Sequence, residues 1–189
     1  MAGGKEQERA DNGSVEGGDA VPFAAELNAL TAEELARRSQ QGCRASFGEL
    51  VERYGLRLFR FLRHQTNNIH DAEDLVQDTF ARAYANIERY RNTYKFSTWL
   101  FTIARNLACS RLRRQHRNKP VLPAKPAEPG PSEKIVQREM RQGLWAAAQK
   151  LSPNQYQALW LKYAEDMPIR EIAKVMCKSQ VSVKVTLCR

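Results

Sequence analysis

Apolar residues recur along most of this chain at the spacing of a single helix face. Phe47, Leu50, Val51, Tyr54, Leu58, Phe61 and Leu62 fall three or four positions apart with arginines opposite, which predicts a long amphipathic helix. Upstream, Thr31 and Glu34 fit a capping box for a short helix through about Gln40, ended by Gly42. A second long stripe runs through Leu75, Val76, Thr79, Phe80, Ala83, Tyr84 and Ile87, with Asp71 placed as its N-cap. A third helix is expected to start after Ser97 or Thr98 and to run through Trp99, Leu100, Ile103, Ala104, Leu107 and Leu112. Three long helices and a short one make a compact bundle.

The pattern resumes beyond a break. Glu133 to Lys150 reads as helical with Ile135, Leu144, Ala147 and Ala148 inward, and Ser152-Pro153 opens another helix carrying Tyr156, Leu159, Trp160 and Tyr163. Pro168 starts a short helix, Ile169 to Met176. Cys177-Lys178-Ser179 interrupts it, and Gln180 to Arg189 continues with Val181, Val185 and Cys188 set against Lys184 and Arg189. Two short helices joined by a tight turn suggest a helix-turn-helix, although plain helical packing gives the same pattern. The predicted fold class is all-α, two small helical domains.

The break holds Pro120, Pro123, Pro126, Pro129 and Pro131. Prolines at this density prevent regular structure and favour an extended chain. The expected organisation is an acidic, Gly-rich disordered tail at 1–25, a helical domain at 26–117, a linker at 118–132 and a second helical domain at 133–189. An extended linker of this size reaches roughly 50 Å.

Composition narrows the partner. The chain has 189 residues, 30 Lys and Arg against 21 Asp and Glu, a net charge of +9 and a pI near 9.6. An anionic partner follows, with nucleic acid first. The charge is uneven. Residues 91–119 hold Arg91, Lys95, Arg105, Arg111, Arg113, Arg114, Arg117 and Lys119 with no acid, whereas Asp71, Glu73, Asp74 and Asp78 crowd one short stretch. No apolar run is long enough to span a bilayer and the first twenty residues lack a signal core, so no membrane insertion and a cytoplasmic location are expected. Cys43, Cys109, Cys177 and Cys188, with His64, His70 and His116, fall at no metal spacing, so neither metal nor cofactor is expected. With no phosphate-binding Gly loop, H-E-x-x-H or G-x-S-x-G, an enzyme is not expected either.

Two constellations carry candidate chemistry. Tyr90, Tyr94, Phe96, Trp99 and Phe101 sit among cations just ahead of Arg111 to Arg114, and rings beside cations suit unpaired bases and phosphates. The same rings are also what a helix start buries: Trp99 first, then Phe101 and Phe96. Asp71, Asp74 and Asp78 share one helical face, bordered by Leu75 and Gln77, which suits a basic protein surface. Acids at a helix start also serve as cap and dipole partners.

Thr31 to Tyr54 (TAEELARRSQQGCRASFGELVERY), Asp71 to Phe80 (DAEDLVQDTF), Phe96 to Leu107 (FSTWLFTIARNL) and Leu151 to Arg189 together resemble the bacterial extracytoplasmic-function (ECF) sigma factors. The resemblance implies two helical domains, regions 2 and 4, in a dissociable subunit that gives RNA polymerase its promoter choice. It implies core-polymerase docking by Asp71, Asp74, Leu75, Gln77, Asp78 and Phe80. It implies −10 promoter DNA binding and melting by Tyr94, Lys95, Phe96, Ser97, Trp99, Arg105, Asn106, Arg111, Arg113 and Arg114. Ser182, Lys184, Thr186 and Arg189 would meet the −35 element, and an anti-sigma factor is the implied inhibitor. Cys177 stands where a glycine is common in the family, Lys178 where an apolar residue is, and Thr186 where an arginine is. A stand-alone helix-turn-helix regulator is the alternative reading, and an adaptor for protein or RNA is another.

Overall fold

A computed structural model describes residues 26–66, 68–118 and 151–188. The tail at 1–25, most of the proline-rich stretch, the helix expected at 133–150, and Arg189 lie outside the described residues. By its contacts the chain divides into residues 1–30 and 31–189. In the first unit, residues 26–29 form a helical turn.

The second unit contains α1 (Ala32–Gln40), α2 (Arg44–Arg63), α3 (Ile69–Ala85), a 3-10 turn (Ile87–Arg89) and α4 (Phe96–Asn118). After the undescribed stretch come α5 (Pro153–Leu159), running into a π turn (Trp160–Ala164), then α6 (Ile169–Met176) and α7 (Gln180–Cys188). The described residues contain no strand. The fold is all-α.

Local chemistry sets most of the ends. The Thr31 hydroxyl accepts from the Glu34 N–H at 3.2 Å while the Glu34 carboxylate accepts from the Thr31 N–H at 2.9 Å, so α1 begins with the expected capping box. Gly42, at φ +93, supplies the left-handed turn after it. Two expected helix starts differ. Asn68, not Asp71, caps α3, its side-chain oxygen accepting the Asp71 N–H at 2.7 Å. The start of α4 moves back to Phe96 because the Glu33 carboxylate of α1 accepts the Phe96 N–H at 2.9 Å. That cap lies 63 positions away, out of reach of any local pattern.

The core of α1 to α4 is a block of fully enclosed side chains, Leu35, Leu50, Leu58, Phe61, Leu62, Leu100 and Phe101. The Phe61 and Phe101 rings meet edge-on at 5.0 Å. Each such side chain contributes about 1.5–3 kcal/mol by leaving water. The C-terminal helices build a smaller core from Ala158, Leu161, Met167, Ile172, Val175, Met176 and Val183, all without solvent contact. Cys177 closes α6 at φ 50, ψ 44, where a non-glycine residue costs on the order of 1 kcal/mol.

The last helix is turned relative to expectation. Val183 occupies the inner position, and Val181, Val185 and Cys188 face outward. Their spacing marked one face of a helix but not its direction, and α6 accepts Val183.

The C-terminal helices pack against the bundle, chiefly α6 on α4. Arg57 of α2 holds Glu165 through two hydrogen bonds, at 2.6 and 3.1 Å. The Glu165 side chain has no exposed surface, and burial raises its carboxyl pKa above the ordinary value while Arg57 and Trp160 act to lower it. His64 stacks on Tyr156 at 4.0 Å, and burial pushes the Tyr156 phenol up to about 12.

Candidate nucleic-acid and protein interfaces

The acid-rich helix α3 sorts its residues by phase. Glu73, Asp74, Gln77 and Asp78 are exposed on one side. Leu75 and Phe80, both expected on the docking surface, are buried at 2% and 8% exposure, Phe80 against the Phe47 ring. They pack the helix onto its neighbours and leave little surface for a partner. Asp71 is half-buried and ion-paired with Arg111 of α4, which also reaches Asp74 at 3.2 Å. Glu73, left out of the expected set, shares the exposed face; its distance of one helical turn from Gln77 is the signal that could have found it.

The segment ahead of α4 is held by α1 and by its own rings. The Gln40 amide donates to the carbonyls of Ile87 and Tyr90, both at 2.9 Å, and the Tyr90 hydroxyl donates to the Tyr94 carbonyl at 3.0 Å. Burial and the Glu33 carboxylate raise the Tyr90 pKa. Phe96 has no exposed surface and packs against Tyr54 and Tyr90, each at 5.6 Å. Ser97 is buried as well. These two, expected at the DNA, are structural in this arrangement, because α4 begins early enough to draw both inside. Trp99, the first core candidate by sequence, is only half-buried, against Tyr90 and Phe96.

The accessible members of this set are Tyr94, Lys95, Arg105, Asn106, Arg113 and Arg114, together with the open side of Trp99. Arg111 is engaged with Asp71 and Asp74 instead. Arg105, Asn106 and Arg113 share one face of α4 and form one wall of a groove of about 390 Å³, with Cys177 and Lys178 of the helix-turn-helix on the other side. The C-terminal helices also cover part of the set. Lys174 of α6 places its ammonium 3.4 Å from the Tyr94 ring centre, with the Arg170 guanidinium at 5.7 Å. The Arg105 side chain donates to Gln157 at 3.3 Å, and Thr98 is hydrogen-bonded to Glu171.

On α7, Lys184 is exposed and Ser182 and Thr186 are half-buried. The Thr186 hydroxyl donates to the Ser182 carbonyl at 2.8 Å, and the Ser179 hydroxyl accepts the Ser182 N–H at 3.1 Å. Among the described residues there is no group of three His, Cys, Asp or Glu placed to hold a metal, and no helix is long and apolar enough to cross a membrane.

Known proteins share this arrangement. The Sigma-70 region 2 family profile matches residues 50–118 and the Sigma-70 region 4 profile matches residues 141–189. The ECF RNA polymerase sigma factor BldN of Streptomyces coelicolor is 30% identical over 169 residues, covering 85% of this chain; the chain spans only 63% of the length of that relative. The ECF RNA polymerase sigma factor SigM of Bacillus subtilis is 30% identical over 144 residues, covering 75% of this chain and 88% of SigM. Among solved structures, CnrH in complex with the cytosolic domain of CnrY matches with a TM-score of 0.57 at 25% identity, over 82% of this chain and 88% of that one. Two regions matched in order, on an all-helical chain ending in a helix-turn-helix, place this protein in the ECF family of RNA polymerase sigma factors.

Proposed function

We propose that this chain binds core RNA polymerase and directs it to promoters, with the exposed face of α3 docking on the enzyme, the segment around Tyr94 and the outer face of α4 engaging the −10 strand, and α7 entering the −35 duplex. The observation that carries this reading is the separation of charge. Glu73, Asp74 and Asp78 point away from the bundle on α3, while Lys95, Arg105, Arg113, Arg114 and Lys184 are accessible on other elements. Carboxylates repel DNA and suit a basic protein surface, so one chain can bridge protein and nucleic acid. The polymerase makes the bonds; no catalytic step belongs to this chain. Its working place is the cytoplasm, where polymerase and promoter meet, and its two domains are taken as 26–117 and 133–189, joined by 118–132.

Promoter engagement then requires an exchange at Tyr94. A cation over a ring is worth about 0.5–2 kcal/mol, and a base stacked on a ring about 1–3 kcal/mol. A −10 base can therefore displace Lys174, whose ammonium gains a phosphate in return. A regulatory partner that holds the C-terminal helices against α4 would block this exchange, which suits an anti-sigma factor; CnrH, the similar structure above, is itself solved with the cytosolic domain of CnrY.

The test is reconstituted transcription. Core polymerase plus the full chain should give start-site-specific transcripts from promoters carrying −35 and −10 elements. Asp74→Lys with Asp78→Lys should weaken core binding at least tenfold with an unchanged circular dichroism spectrum. Unaltered binding by that variant would remove the docking assignment. A stand-alone regulator, which would bind duplex DNA equally well without polymerase, leaves the acidic face and the region 2 match without a role.

A further inference from the structure

In the −35 helix, the residues aimed away from the protein are mainly apolar. Val181 is 70% exposed and Val185 45%, while Val183 between them is enclosed. Side chains this open leave much of their apolar surface free to meet a partner. They stand one turn apart, at the second and sixth positions of α7. Val181 lies in the first turn of the second helix, the part of a helix-turn-helix that approaches base edges, and Val185 one turn further on.

The same helix carries a cation. Lys184 is exposed between the two valines in sequence, and Lys178 stands in the turn before them. An apolar pair beside ammonium groups fits a surface that is anionic at its rim and apolar inside. The major groove is such a surface where thymine presents its C5 methyl group between two phosphate strands. The Thr186 hydroxyl donates to the Ser182 carbonyl, so its proton is not offered to a base. Four residues of helix rise span about 6 Å, close to two base steps of about 3.4 Å. Valine is also stiff, holding one dominant rotamer in a helix, so its methyl groups are already positioned before contact.

We infer that Val181 and Val185 are specificity-determining residues that read thymine methyl groups about two base steps apart in the −35 element. The inference rests on the reading of α7 as the −35 helix. It replaces Thr186 as a direct reader and makes Lys184 a phosphate contact that sets affinity without choosing sequence.

The experiment uses the full chain assembled on core polymerase and a duplex library randomised across the −35 position. Enriched duplexes are then remade with each thymine replaced in turn by deoxyuridine, which removes one methyl group and keeps every hydrogen-bonding atom. Uracil at two positions should weaken binding about three- to fivefold each. Val181→Ala and Val185→Ala should each abolish the thymine–uracil difference at one of them. Lys184→Ala should keep both differences while lowering the slope of log affinity against log salt by about one. Enriched duplexes that bind equally well with uracil at every position overturn the inference and leave the −35 reading standing. An equal uracil effect in the wild type and both valine variants overturns it too, as does unaltered DNA binding by variants that have lost only an inhibitor protein. Failure to enrich any −35 sequence overturns the −35 reading along with it.

Discussion

The two surfaces assigned to promoter DNA differ in what occupies them. Around Tyr94 and along α4, side chains are already engaged by their own chain: Lys174 on the Tyr94 ring, Gln157 on Arg105, Glu171 on Thr98, and the acids of α3 on Arg111. On α7 the outward face is open to solvent. An engaged surface can bind DNA only by exchanging partners of similar strength, so what holds the C-terminal helices in place can govern it. On the proposed function, the −10 step is then the point of control and the −35 step the point of first selection.

The largest expected effect separates scaffold from contact within the first surface. Phe96→Ala removes a fully enclosed ring and should cost about 3–5 kcal/mol in urea unfolding, while Tyr94→Ala should cost well under that. Comparable losses for the two would erase the distinction between them. Next comes the clamp. Arg57→Ala leaves the buried Glu165 carboxylate without its ion-pair partner, at a cost of about 3 kcal/mol, the lower end of the range because the Arg57 side chain is 41% exposed. The C-terminal helices should detach, read as a larger radius of gyration by X-ray scattering. Unchanged dimensions would deny Glu165 that role.

Smaller still is the functional effect of Tyr94→Ala. Loss of one stacked base, about 1–3 kcal/mol, should impair opening of duplex promoters more than transcription from a pre-melted bubble. Equal loss on both templates would move Tyr94 from the DNA to the framework. The smallest effect is that of pH. The Glu165 carboxyl is raised in the closed arrangement above its ordinary value of 4.5, so the closed form holds that proton more tightly than the open form does. Its contribution to closure is fully present below 4.5 and is lost as pH rises through the raised value. Acidification toward pH 5 should shift the scattering profile slightly toward the compact form, and Glu165→Gln should flatten that dependence.

Much of the fold was legible locally. The capping box at Thr31, the stop at Gly42, the Pro168 start and the break at Cys177 all depend on residues within a few positions of one another, and the structure has them in place. The starts of α3 and α4 were misplaced for two reasons: Asn68 competes with Asp71 for one role, and Glu33 caps α4 from another helix. Within the candidate sites, the acids of α3 could be grouped from sequence. Which apolar neighbours were anchors could not, because Leu75 and Phe80 acquire that role only from what α2 and α4 place beside them. Phe96 and Trp99 exchanged their expected places for the same reason.

By itself the sequence determined the main helices, the capping box at Thr31, the opposite charges of α3 and α4, and the motif order that identifies the family. These follow from short-range hydrogen bonding, residue spacing and counting. Only the tertiary structure decided which side of each helix looks outward, that Arg111 belongs to the acids of α3, and that Lys174 covers Tyr94. A periodic pattern fixes the width of an apolar face but not its direction; the direction is set by the neighbours that exclude water from it.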